Sequence, residues 1–291
     1  MIVDAGLESL LGALLYEGYA LYPYTAGAAK NATPTPFGIV YPPAYARASA
    51  AAFDRLRLHG VTQAGADAVI EAEVRFLQAA PEGGHRAVER RLVAAPRSLG
   101  ELAAAPDEQT FELDGLAGRM RFSATAVGGG WRIALCVHNT TAVEATGLDR
   151  SAALRTSLLS THPIVHLEGG TFASPLEREG ALGTAVAECE SVNTYPILAT
   201  PEDDVLVGAA IVLPDHPQLA PESRGNLFDG TEIEEALVLH VMALSADERE
   251  QIAAGDPAIR ELVARTVAAT PEDLVRLHGR TVLRDPGRGE L

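Results

Sequence analysis

The sequence predicts an α+β protein: a mostly antiparallel β-sheet through the N-terminal two-thirds and a helical C-terminal third. Three observations lead there. Met120, Phe122, Ala124 and Ala126 alternate with Arg121, Ser123 and Thr125; after Gly128-Gly129-Gly130 the alternation returns, with Trp131, Ile133, Leu135 and Val137 against Arg132, Ala134, Cys136 and His138. Two period-two runs across a glycine turn make a β-hairpin with one buried face. Residues 69–77 add β-branched side chains with Glu71, Glu73 and Arg75 at every second position, the pattern of a strand with one solvated side. Beyond residue 230 the signals change to helix starts. Residues 231–234 and 245–248 are capping boxes, and Asp256-Pro257 and Thr270-Pro271 each set a capping side chain before Pro at the first helical position.

The elements follow in order within a single compact unit, 1–291. Residues 1–45 comprise a helix and a strap. Leu7, Leu10, Leu11, Leu14 and Leu15 recur at helical spacing, which predicts a short amphipathic helix packed on the core. Six of the seven tyrosines then fall between positions 16 and 45, among Pro23, Pro34, Pro36, Pro42 and Pro43. Pro fixes φ and restricts the residue before it, so this stretch reads as an irregular strap of extended chain and turns. Residues 46–230 form the sheet-rich core. A β-meander spans 53–95, with strands at 53–62, 69–77 and 86–93 and a turn over 63–67; a polar connection runs from Ala94 to Asp107, and the hairpin follows. Asp149 caps a helix over 150–159. A strand occupies 162–167 and is closed by Gly169-Gly170. Pro175 opens a helix reaching Glu190, and strands at 195–199 and 205–213 precede a polar loop over 214–230. Residues 231–291 are the helical C-terminal region.

Composition narrows the function. The net charge is −16 and the chain has no basic run, which argues against a nucleic-acid backbone or an anionic membrane surface as partner, since both need clustered Lys and Arg. No stretch of about 18 uncharged apolar residues occurs, so no membrane span is read. The N-terminus carries Asp4 and Glu8 and lacks the basic segment of a signal peptide. With only Cys136 and Cys189, no disulfide framework is suggested. The expected location is the cytoplasm. Lys30 is the only lysine; a GC-rich genome explains that, as does retention of a reactive amine that Arg cannot replace.

Candidate chemistry is sparse. His162 and His166 resemble a metal pair, but Pro163, Ile164 and Val165 between them indicate a strand. Positions i and i+4 on a strand lie ~13 Å apart, too far for one ion. Cys136 and His138 share a strand face, where a thiol beside a base can act as a nucleophile, although no third orienting group is evident and a polar outer face explains them equally. The loop over 214–230 holds Asp215, His216, Glu222, Arg224 and Asp229, and a long ordered loop of this kind is a place for function. Asn31 and Asn139 begin sequons. No standard catalytic or nucleotide-binding signature is present, and no catalytic residue, cofactor or metal is assigned.

Several segments resemble a family of uncharacterised bacterial proteins: residues 16–24, Lys30-Asn31, residues 37–42 and 73–77, and the stretch from Ala220 to Ile233. That family is associated with gene clusters for nickel–iron hydrogenases of the actinobacterial type. The resemblance implies an accessory role in hydrogenase assembly or maturation and supplies no catalytic residues. The expected function is therefore a non-enzymatic accessory, assembly or scaffold protein with a protein partner. Its contact surface would use Tyr19, Tyr22, Tyr24, Lys30 and Tyr41 of the strap with Glu222, Phe228 and Asp229 of the loop. The alternative is an enzyme of unknown class with a small-molecule pocket near the strap, drawing on Lys30, His138 or His166.

Overall fold

A computed structural model describes residues 5–21, 38–79, 87–146 and 148–217, together with Ser245, Ala264, Ala268 and Thr270. Contacts divide the chain into two units, Met1–Gln218 and Leu219–Leu291; all elements named below belong to the first, whose helices are α1 (Ala5–Leu21), α2 (Pro43–Ala46), α3 (Leu99–Ala104), α4 (Arg150–Leu154) and α5 (Gly180–Ala187).

The α+β class is corrected. The described residues form a mostly antiparallel β architecture with few helices, and no helical C-terminal third is evident among them. Of the capping residues expected from Thr231 onward, Ser245 and Thr270 are described and the rest lie outside. The helix after Asp149 proves short because the segment that follows it is claimed by sheet. The helix expected over 150–159 is α4, Arg150–Leu154; Leu158 instead bridges to Val40, and Leu159 opens the next strand. Asp149 does cap α4, accepting from the Ala152 N–H at 2.7 Å.

The strands are β1 (Arg55–Ala79), β2 (Ala87–Ser98), β3 (Asp107–Leu113), β4 (Leu116–Val127), β5 (Gly130–Asn139), β6 (Leu159–Phe172), β7 (Tyr195–Leu198) and β8 (Val205–Ala209). The sheet order is β3-β4-β5-β1-β6-β8-β7, with β2 also paired to β1. β1 belongs to two half-sheets. Its residues 55–62 pair with β5 and its residues 69–79 pair with β2, while β6 lies beside both halves. The turn expected at 63–67 is thus a bulge in one continuous strand. Between Ala64 and Val69, β1 advances five residues while β6 moves two, from Gly170 to Glu168. The extra residues bend the strand outward, and Gly65, Ala66 and Asp67 are exposed there. Gly170 permits the close approach opposite: a Cβ on it would stand 2.5 Å from the Ala64 side chain and 2.6 Å from the Gln63 carbonyl.

The β4–β5 hairpin forms as expected, and its register sets Met120 opposite Val137 and Phe122 opposite Leu135. β3 extends it, and Phe111 lies over its cross-strand partner Gly118, whose missing side chain leaves room for the ring. Inward residues of both half-sheets meet in one core, including Leu56, Leu58, Val74 and Phe76 of β1, Phe122 of β4, Leu135 of β5 and Val165 of β6. The segment read as a polar connection from Ala94 contains the end of β2 and a helix, α3 (Leu99–Ala104). Ser98 and Glu101 form its capping box, and Leu99 and Leu102 enter the core.

The N-terminal helix α1 (Ala5–Leu21) buries all five leucines named from the sequence. Each contributes roughly 2 kcal/mol of apolar burial. Polar bonds fix where it sits. Arg75 and His162 are cross-strand partners on β1 and β6, and both reach α1. The Arg75 guanidinium forks onto the Glu8 carboxylate, with both bonds at 2.7 Å, and also donates to Glu73 at 2.6 Å. The Glu8 bond holds Arg75 in its charged form and lowers the carboxyl pKa of Glu8. The His162 ring lies between the Gly208 carbonyl, 3.0 Å from Nδ1, and the Leu14 carbonyl of α1, 3.2 Å from Nε2; a neutral ring has one N–H and donates to one of the two.

Two predictions follow from this packing. Arg75 and Glu73 side chains are 4% and 7% exposed, so Arg75→Ala, which leaves the buried Glu73 carboxylate with only the more distant Arg91 at 3.7 Å, should lower stability by about 3 kcal/mol in urea unfolding; Glu8→Gln, at a site 41% exposed, should cost distinctly less. Burial pushes His162 down to about 4, and burial with Arg57 and Arg132 pushes His59 down to about 4. Both rings are neutral in the fold and ordinary in the unfolded chain, so their contribution is complete above pH 6.5 and is lost as pH falls from there through about 4. His162→Asn should flatten that part of the stability–pH curve measured by denaturant titration.

Candidate functional site

The site grows from an edge. β7 is the last strand of the sheet, and an outer strand must satisfy or block its free backbone groups. Pro196 has no N–H to satisfy. Leu198 turns both of its groups away from β8, and the start of the loop over 214–230 takes them. Asp215 Oδ1 accepts from the Leu198 N–H at 2.9 Å, and the His216 N–H donates to the Leu198 carbonyl at 2.7 Å. The other Asp215 oxygen accepts from the Ser174 hydroxyl at 2.6 Å, and the His216 ring Nε2 lies 2.7 Å from Asp203 Oδ1. Four groups thus lock two residues of the loop onto the sheet.

The surface they lock onto is itself stitched down. Asp203 and Asp204 occupy the β7–β8 connection. The Asp203 carbonyl accepts from Phe172 and the Asp204 carbonyl from Leu167, both on β6. The Thr200 hydroxyl donates to Asp204 Oδ1 at 2.5 Å. Asp203 and His216 both take left-handed backbone, φ 56° and 54°, a region that side chains other than Gly, Asn and Asp enter rarely. Beside Asp204 stands His166 of β6, with Nε2 3.6 Å from Asp204 Oδ2 and Nδ1 3.4 Å from Glu71 Oε1 of β1.

This arrangement braces rather than reacts. The Ser174 hydroxyl is committed to a carboxylate, not to an imidazole that would take its proton. His166 lies near Glu71 and Asp204, and His162 is buried between the Gly208 and Leu14 carbonyls, so the two histidines do not converge. Among the described residues no group of three His, Cys, Asp or Glu side chains is placed to hold a metal ion. Cys136 and His138 do share an outer face. Burial raises the Cys136 thiol pKa against the pull of Arg57 and Arg121, and burial with Arg119 lowers that of His138. Asn139 is buried and donates to the Val40 and Thr156 carbonyls at 3.0 and 2.7 Å, which leaves no amide for a glycan.

Of the contact residues read from the sequence, Tyr41 is described in full. It is 2% exposed, its N–H donates to Phe53 at 2.8 Å, and its ring stands 4.8 Å from that of Tyr45 in a cluster with Ile39 and Ala153. It serves the core. Tyr19 falls within α1, while Tyr22, Tyr24, Lys30, Glu222, Phe228 and Asp229 lie outside the described residues. Sequence reasoning named Asp215 and His216 but missed their partners Ser174, Leu198 and Asp203. The tandem Asp203-Asp204 in a short connection between two apolar strands was the available signal.

No known family model and no curated protein matches the chain. No helix among the described residues is long and apolar enough to cross a membrane.

The anchor makes a specific prediction. Asp215→Ala removes the acceptor of the Leu198 amide and leaves the Ser174 hydroxyl unpaired; at about 1 kcal/mol per bond, Leu198 amide exchange should quicken several-fold while amides of β4 and β5 stay unchanged.

Proposed function

We propose that the protein is a non-enzymatic accessory protein that holds a protein partner at the edge of its sheet, through the loop over 214–230 with the Tyr-rich strap as the second contact. The observation that carries this reading is the anchor at Asp215 and His216. Side chains and backbone from three separate segments fix the loop where it leaves the sheet, and a loop fixed at its root loses less entropy on binding than a free one. The anchor also takes up Leu198, which would otherwise offer its backbone to any passing strand. The family resemblance makes a nickel–iron hydrogenase subunit or maturation factor the first partner to look for. The acidic composition and the two free thiols accord with action in the cytoplasm.

The test is affinity capture of the tagged full-length chain from its native host, with mass spectrometry of what co-purifies. The expected result is one partner in stoichiometric amount, reduced when Asp215→Ala is used as bait. Recovery of the protein alone, from cells shown to be expressing the hydrogenase, would overturn the reading.

A further inference from the structure

The corner that roots the loop pairs its carboxylates differently from the rest of the sheet. Elsewhere Glu8, Glu73, Glu188 and Glu190 are met by arginine, which keeps its charge at any ordinary pH. In the β7–β8 connection Glu202, Asp203 and Asp204 follow one another. The ion-pair partners of Asp203 and Asp204 among the described residues are both histidines: His216 Nε2 at 2.7 Å and His166 Nε2 at 3.6 Å. His166 also approaches Glu71 of β1, with Nδ1 at 3.4 Å. Both approaches of His166 are longer than a good hydrogen bond, so they strengthen chiefly when the ring carries charge. The other acidic groups here add to the same field. Glu168 lies two residues along β6 on the face of His166, and Asp215 adjoins His216. Arg75 and Arg91 share the face of Glu71, but they are engaged with Glu8, Glu73 and Glu89.

We propose that His166 and His216 form a proton-operated clasp, which draws the β7–β8 connection onto β1, β6 and the start of the loop as pH falls and so sets how firmly the loop's root is held. This rests on the reading that the rooted loop receives a protein partner. An imidazole changes charge between pH 5 and 8. On the cationic ring both nitrogens are donors, and His166 can then serve Glu71 and Asp204 together, tying β1 and β6 to the connection. His216 does the same for the loop, because a charged donor on the Asp203 carboxylate makes a stronger bond than a neutral one. The sign follows: the ion pairs are present below the imidazole range and lost as pH rises through it. The backbone bonds from Leu167 to the Asp204 carbonyl and from Phe172 to the Asp203 carbonyl do not depend on charge. They hold the connection in place at every pH, so the proton changes the grip on the loop rather than the fold.

The experiment follows amide exchange of Leu198, whose N–H donates to Asp215, in the full-length protein at pH 6 and pH 8, corrected for the intrinsic pH dependence of exchange. Overall stability does not imitate the effect, because His162 and His59 make the fold less stable, not more, as pH falls below 6.5. The expected result is about fivefold greater protection of Leu198 at pH 6 than at pH 8, with no such gain in β4 and β5. The gain should vanish in the His166→Gln, His216→Gln double variant with circular dichroism unchanged, and His166→Gln alone, the second variant should the double one not fold, should keep part of it. Bait washed at pH 6 should also retain more partner than bait washed at pH 8. Equal protection at the two pH values, a gain that survives the double variant, or partner retention indifferent to pH would overturn the clasp. Equal protection with a partner still captured would remove the clasp and leave the accessory reading standing. Protection that follows pH through both histidines, with no protein captured at either pH, would support the clasp's chemistry and remove the accessory reading.

Discussion

Everything in the first unit depends on one strand that does not stop. β1 runs 25 residues, well beyond the usual 3–10, and is the only strand that pairs with β2, β5 and β6 alike. A strand's side-chain period is two, so a bend must preserve which side chains face the core. β1 does so. Leu56 and Leu58 before the bulge and Ile70, Val74 and Phe76 after it are all even-numbered and all buried. β6 absorbs the change of parity instead, turning Leu167 and Phe172 inward on either side of its glycine pair. Two half-sheets can then share one core, and the charged outer residues of each half stay outside it.

The outer faces are treated differently. Over the second half of β1 and β6, the leucines of α1 supply the burial, and Glu8, Arg75 and His162 fix the position of the helix. Packing provides the free energy there, while directional bonds select one docking geometry among the many a greasy stripe would accept. Over the first half, no helix among the described residues covers Arg55, Arg119 and His138. At the far edge, β7 is short and interrupted by Pro196, and the outward backbone groups of Leu198 are taken by Asp215 and His216. The protein thus closes the edge that would aggregate and uses the same bonds to root a loop.

Much of this was legible in the sequence, and the failures have physical causes. The β4–β5 hairpin could be read because its alternation is regular and its turn is glycine. α1 and β8 could be read because their apolar patterns are strong. The bulge at Ala64 could not be told from a turn, since Gly, Ala and Asp suit both and the difference lies in whether the next segment pairs onward with the same strand. The capping box at Ser98 and Glu101 was visible but surrounded by Ala and Pro, which suggested a loop. The excess helix came from extending the cap signal at Asp149 over residues that sheet pairing claims, and from starting a helix at Pro175 where a turn precedes the helix Gly180–Ala187. Tyr41 illustrates a deeper ambiguity: an amphipathic ring beside prolines suits a surface and a core equally. The anchor was half legible. Asp215 and His216 stand out in a polar loop, but Ser174 lies 41 residues away from Asp215, and only the folded sheet brings them together.

The account's central claim is that the rooted loop is where a partner sits. A photo-crosslinking residue placed at Pro217, where the chain leaves the anchor, tests it most directly in the native host. The account predicts a single crosslinked species from position 217 and none from Val88, an exposed position on β2. Equal crosslinking from both positions, or crosslinking from Val88 alone, would contradict it.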